Sequence, residues 1–290
     1  MENTSNITST IIETINTILS ELFSSIDNSL YGILDDITFI SSDIIDDSFF
    51  EKILGTSTSN GILLIANSLL FGFILFYALK YLFAHLTYNQ VESPMQFIFK
   101  CIIFCICINA SYFLIEELLN ITSNISLAIR SIGEELFGKN ICFSELILEI
   151  NNLISIDTSS LNIFSLNGII KATLSTSLLT LVFTYSFRYI MLKVFILLTP
   201  FAFLSLLLQN TSWFFKSWIR NIFSLLFIQI IVSIVLLILF SINYSSGNLM
   251  SKFIYIGGIN VLIKTNSFVR EFVGGVSTTF TQNVENLLKK

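Results

Sequence analysis

An all-α, multi-pass membrane protein is what the sequence predicts, on three observations. Of its 290 residues 53% are hydrophobic and 12% are charged, where a soluble domain carries about 25% charged residues. The apolar residues are gathered into long blocks, and the strongest of these, Gly61–Leu79 and Asn221–Asn243, hold no charge at all. Such blocks are long enough to cross about 30 Å of hydrocarbon at about 1.5 Å per helical residue. Basic and aromatic residues cluster at the ends of the blocks, where side chains reach headgroups.

The first region, residues 1–60, carries ten acids against a single base, Lys52. Met1 is followed by Glu2 with no basic stretch, so no cleaved secretory signal is expected. Ile11, Ile15, Ile18 and Leu22 keep helical spacing, which predicts an amphipathic helix outside the hydrocarbon, packed on the membrane surface or docking a partner. Residues 61–115 form the first transmembrane hairpin: Gly61–Leu79, then Phe97–Ile115 after a polar turn containing Pro94. Lys80 and Lys100 flank that turn, and His85 at a helix end is expected to be interfacial rather than a proton relay. Cys101, Cys105, Cys107 and Cys142 are too few and too clustered for a disulfide framework; Cys101 and Cys105 share a helical face at i, i+4 but have no His or carboxylate nearby in the segment to complete a metal site, so all four are expected to pack as small apolar residues.

Residues 116–168 hold seven acids and two bases and are expected to be short helices or loops outside the membrane. Residues 169–270 make the transmembrane core. Ile169–Phe187 is its first span, closed by Arg188. Leu192–Leu208 is interrupted by Pro200, which lacks the backbone donor a helix needs and predicts a bent or re-entrant segment. Asn221–Asn243 is the next span, and Phe253–Ile263 is short for a last one. Residues 271–290 are the tail.

Lysine and arginine at helix ends favour the cytoplasmic side. Arg188, Lys193, Lys216 and Arg220 fill a stretch without one acid, so residues 188–220 are expected inside and the two acid-rich regions outside. That gives five crossings, with the N-terminus outside and the C-terminus cytoplasmic. Six crossings is the rival layout. Lys171 and Lys252 count mildly against the preferred one.

Phosphate loop, HExxH, CxxC and nucleophile-elbow motifs are absent, so no enzyme is expected and no cofactor or metal is implied. Asp and Glu are missing from every span, which weakens ion-coupled transport. Thr173, Ser177, Thr180 and Thr184 form a polar seam, as do Gln229 and Ser233. Both suit either helix-to-helix hydrogen bonds or a pore wall.

Two segments, Arg188–Ile234 and Gly257–Gly275, carry a resemblance. An arginine leads into an apolar run with a central proline (Arg188, Pro200), and a Trp and basic group opens a long span (Trp213, Lys216, Trp218, Arg220). A tail with Lys264, Phe268, Arg270 and Glu271 follows. In this the chain resembles the TrbL-type polytopic subunit of conjugative type IV secretion systems, in its compact Gram-positive form.

The resemblance covers about the C-terminal 100 residues. It implies a channel or scaffold subunit of the bacterial cytoplasmic membrane that forms homo-oligomers. Beside it would stand a secretion ATPase and bitopic scaffold proteins, with transient contact to transferred DNA. Arg188, Pro200, Trp213, Lys216, Trp218 and Arg220 are then expected as a cytoplasmic interaction group, and Lys264, Phe268, Arg270 and Glu271 as a second contact surface. A small-molecule permease or exporter domain is the alternative.

Overall fold

Charge-free blocks fold into long helices, because no water in a bilayer core can satisfy a backbone amide left out of the ladder. A computed structural model of the chain describes residues 32–45, 48–55, 61–87, 93–154, 166–242 and 249–273, with Thr14, Thr17 and Glu21. Every regular element among them is helical: α1 (residues 32–38), α2 (Ser48–Leu54), α3 (Ile62–Thr87), α4 (Pro94–Asn109), α5 (Ser111–Phe137), α6 (Phe143–Ile154), α7 (Leu166–Leu197), α8 (Thr199–Ser205), α9 (Ser212–Ser241) and α10 (Leu249–Val273), with single 3-10 turns at Ser42–Ile44 and Gln209–Thr211. The expected amphipathic helix at Ile11–Leu22 and the tail beyond Val273 lie outside the described residues.

Three helices, α3, α7 and α9, are long and apolar enough to cross a membrane, and the pair α4–α5, bent by 54° between Asn109 and Ser111, passes that test as one broken span. Among the described residues the chain is therefore all-helical, with three or four span-length apolar helices. At 25 residues α10 is long enough but is not one of that set.

The helix boundaries differ from the sequence expectation in three places. Phe97–Ile115 is not one helix: it breaks at Ala110, and from Ser111 the chain continues as a 27-residue helix through most of the expected outer loop. That helix was hard to see because its buried side is made of small and polar groups as well as leucines. Ser111, Ile115, Leu119, Thr122, Ser126 and Gly133 form the buried stripe. Gly133 lies close against α9, where an added Cβ would strike Leu237 and Ile141. Arg188, second, does not close a helix. It lies inside α7, which runs nine residues further to Leu197.

At the third place, Pro200 interrupts the Leu192–Leu208 run as expected, and the boundary falls just before it, between Leu197 and Thr199. The proline sits in the first turn of α8, where its missing donor costs nothing. Together with the Gln209–Thr211 turn, α8 reverses the chain between α7 and α9.

Pairings across the bundle fix the helix directions. Ser126 meets Ser233 and Gly133 meets Leu237, so α5 and α9 run in the same direction. Arg188 meets Leu225 and Phe195 meets Trp218, so α7 runs against α9. Gly258 of α10 lies against Leu239, close enough that any Cβ there would displace the leucine. One large core joins α5, α6, α7, α9 and α10 with α1 and α2. A smaller one joins α3 and α4 to α8 through Leu63, Ala66, Leu70, Phe97, Cys101, Ile108, Leu204 and Leu207. The hairpin is further tied by the stacked rings of Tyr77 and Phe97, 3.6 Å apart, and by the side-chain amides of Asn67 and Asn109, 3.1 Å apart.

Residues 34–45 form a strap drawn into the bundle, with Leu34, Thr38, Ile40 and Ile44 buried. The Asp35 carboxylate accepts from the Phe143 and Ser144 amides at 2.8 and 3.0 Å and from the Ser144 hydroxyl. It thus caps α6 from a distant part of the chain, satisfying donors that a helix N-terminus leaves open. Asp35→Ala is expected to lower stability by about 1–2 kcal/mol, read as a drop in the thermal midpoint of the detergent-purified protein. An unchanged midpoint would show that the cap contributes nothing.

Candidate functional site

An arginine buried within a span-length apolar helix is costly to place and the first residue to ask about. Leu181, Tyr185, Arg188, Leu192 and Ile196 are spaced by three and four residues along α7 and all are fully buried, so Arg188 belongs to the stripe facing the core. Its Nε donates to the Leu225 carbonyl of α9 at 2.9 Å, and Nη1 donates to the Thr38 carbonyl of the strap at 2.9 Å. Nη2 reaches the side-chain oxygen of Gln229 at 3.5 Å.

That same Gln229 oxygen accepts from the Ile40 amide at 3.2 Å. With donors on both sides, the oxygen end of the Gln229 amide must face Arg188 and Ile40. This leaves the Gln229 Nε2 and the Thr38 hydroxyl buried without a partner among the described residues. The guanidinium thus grips the C-terminal end of α1 through the Thr38 carbonyl while Gln229 takes the Ile40 amide. Phe39 itself lies under Arg130 of α5, 4.2 Å from guanidinium carbon to ring centre.

Every partner of Arg188 is a neutral oxygen. The arrangement joins three elements, the strap, α7 and α9, and presents no nucleophile and no acid–base pair to a substrate. Next to it, Ser126 and Ser233 hydroxyls lie 2.6 Å apart, and Ser233 also donates to the Gln229 carbonyl, so the Gln229–Ser233 seam is helix-to-helix and intrahelical hydrogen bonding. The other seam behaves differently. Thr173, Thr180 and Thr184 each donate to the carbonyl four residues earlier in α7, which satisfies the hydroxyls within their own helix.

Contacts at Arg188 join two regions that the charge layout separates. Residues 1–60 and 188–220 were expected on opposite faces, yet Thr38 bonds Arg188 and the Lys193 ammonium stands 5.5 Å from the Phe50 ring centre. The described strap and the Arg188–Lys193 part of α7 therefore share one level of the bundle. The guanidinium is matched in part by the Thr38 carbonyl, 150 residues away in the chain.

The remaining candidates divide between core and surface. Pro200 and Trp218 are buried, and Trp218 donates from Nε1 to the Phe195 carbonyl at 2.9 Å while packing on Phe203 and Phe215. Trp213, Lys216 and Arg220 are exposed on the opposite side of α9. In α10, Lys264, Phe268 and Glu271 are exposed along one face and Arg270 is half-buried. These two surfaces are separate from the Arg188 cluster, so the six residues expected as one group fall into two.

Sequence reading did not single out Asp35, Thr38 or the Asn67–Asn109 pair. Further out, Lys139 pairs with Glu149, whose hydrogen bond raises the lysine above its ordinary value, and burial raises the Cys142 thiol above its own. No family model, curated protein or solved structure matches the chain.

Proposed function

We propose that the chain is a multi-pass subunit of a conjugative type IV secretion machine in the bacterial cytoplasmic membrane. It acts by helix-to-helix assembly and by contact with transferred DNA and protein, not by catalysis. The observation that carries this reading is the ordered set Arg188, Pro200, Trp213, Lys216, Trp218 and Arg220, which resembles the TrbL-type subunit. The geometry adds support of a physical kind: this stretch builds the reversal between two long apolar helices and holds the strap through Arg188. Polar groups in the bundle serve to hold helices together, as a scaffold or channel wall requires.

The layout that goes with the proposal has five crossings, with the basic segment 188–220 toward the cytoplasm. The strap, which touches Arg188 and Lys193, then lies at that depth and not outside. Copies of the chain would assemble with the secretion ATPase and bitopic scaffold proteins around the transfer path.

Deleting the gene from its native donor strain tests the proposal directly. Conjugative transfer is expected to fall to the level of a donor lacking the secretion ATPase, and to return when the wild-type chain is supplied in trans. Transfer at the parental frequency in the deletion strain would overturn the reading.

A further inference from the structure

The exposed side of α9 is a single stripe. Trp213, Lys216, Arg220, Phe223, Phe227, Ile234 and Ile238 follow one another at intervals of three, four and seven residues, and all are exposed. At 100° per residue they stay within one narrow face of the helix. The cationic pair occupies one end and everything beyond it is aromatic or branched aliphatic.

From Arg220 to Ile238 the stripe is about 27 Å long at about 1.5 Å per residue, close to the thickness of a bilayer's hydrocarbon. Neither Lys216 nor Arg220 makes a hydrogen bond or ion pair among the described residues, and α9 contains no acid. The opposite face of the same helix holds Trp218, Ile222, Leu225, Gln229, Val232 and Leu236 in the core.

We propose that this stripe is a binding site for an anionic phospholipid, with the phosphate held by Lys216 and Arg220 and an acyl chain laid along Phe223, Phe227 and Ile234. Charge complementarity selects the occupant. Two unpaired cations at headgroup depth favour a lipid of net negative charge by about 1 kcal/mol each, and the uncharged length beneath them matches a chain rather than a polyanion. A nucleic acid would meet the two cations and then an apolar surface with nothing to offer its next phosphates. Trp213, edge-on to Phe214 at 6.0 Å, marks the headgroup level as interfacial tryptophans do. The inference holds whichever machine the chain serves.

Tryptophan fluorescence tests it, because the protein has two tryptophans and only Trp213 is exposed. The purified full chain is reconstituted in phosphatidylcholine containing a fixed minor fraction of brominated phosphatidylglycerol, or the same fraction of brominated phosphatidylcholine. The anionic quencher is expected to reduce the signal several-fold more than the zwitterionic one. This difference should shrink with added salt, disappear in Lys216→Gln/Arg220→Gln, and persist in Lys216→Arg. Trp213→Phe should remove most of the quenching by either lipid.

Equal quenching by the two lipids in the wild type would overturn the site. So would a preference that survives in the double glutamine variant, or relief of the quenching by a short single-stranded oligonucleotide, which would assign the cations to nucleic acid.

Discussion

Arg188→Ala is expected to reduce the stability of the purified protein by about 3–5 kcal/mol, the range in which removal of a large buried side chain falls. Two effects add. The guanidinium and its stem are fully buried, so truncation leaves a cavity between α7, α9 and the strap. The Thr38 carbonyl also loses its donor from Arg188, and an orphaned buried acceptor costs about 1–3 kcal/mol.

A third effect has the opposite sign, since a buried cation with only neutral partners has given up its hydration. Arg188→Met separates them: it keeps most of the volume, removes the charge and removes the three hydrogen bonds. If the hydrogen bonds outweigh the desolvation, as the 2.9 Å geometry at Leu225 and Thr38 argues, the methionine variant loses about 1–3 kcal/mol and melts between wild type and alanine. A methionine variant as stable as wild type would show that Arg188 does not hold the strap through those bonds. Thermal midpoints in one detergent, followed by circular dichroism, decide the order.

Much of the architecture could be read from residue pattern alone, and where it failed the failures share a cause. The apolar blocks around Gly61–Leu79, Ile169–Phe187 and Asn221–Asn243 each became a long helix, because uninterrupted apolar runs leave the backbone no other way to satisfy itself in lipid. The opposed faces of α9, with Phe215 and Trp218 inward and Trp213, Lys216 and Arg220 outward, follow from helical periodicity.

Arg188 was misplaced because a charge following an apolar run reads as a helix end. The contrary signal was present in its spacing from Leu181, Tyr185, Leu192 and Ile196. What no local pattern held was the partner, a backbone carbonyl from Thr38. Likewise Asp35 looked like one acid among ten, and only the fold brings it to the N-terminus of α6. Contacts between distant segments, made by backbone atoms that every residue possesses, leave no compositional trace.

The reversal at Pro200 supplies the second large effect. The C-terminal end of α7 has carbonyls without helical donors, and Pro200 cannot supply one to the Ile196 carbonyl four residues before it. Side chains close part of the gap: the Phe195 carbonyl accepts from Trp218 Nε1 at 2.9 Å and from the Thr199 hydroxyl at 3.2 Å. The Trp218 ring meanwhile lies 5.9 Å from Phe203 and 5.6 Å from Phe215, so one residue of α9 holds the end of α7 and the face of α8 together.

Trp218→Ala is therefore expected to cost about 3–5 kcal/mol. Trp218→Phe keeps the aromatic packing and loses only the indole donor, while Thr199 still serves the Phe195 carbonyl, so its cost is expected near about 1 kcal/mol. Loss of the reversal has a spectroscopic mark as well. In Trp218→Ala the remaining fluorescence comes from Trp213 alone, and if α8 swings away from α9 that emission shifts relative to the Trp218→Phe protein, which has the same single tryptophan. Identical melting and identical spectra for the two variants would mean that the ring does not join α7 and α8 to α9, and that Pro200 turns the chain unaided.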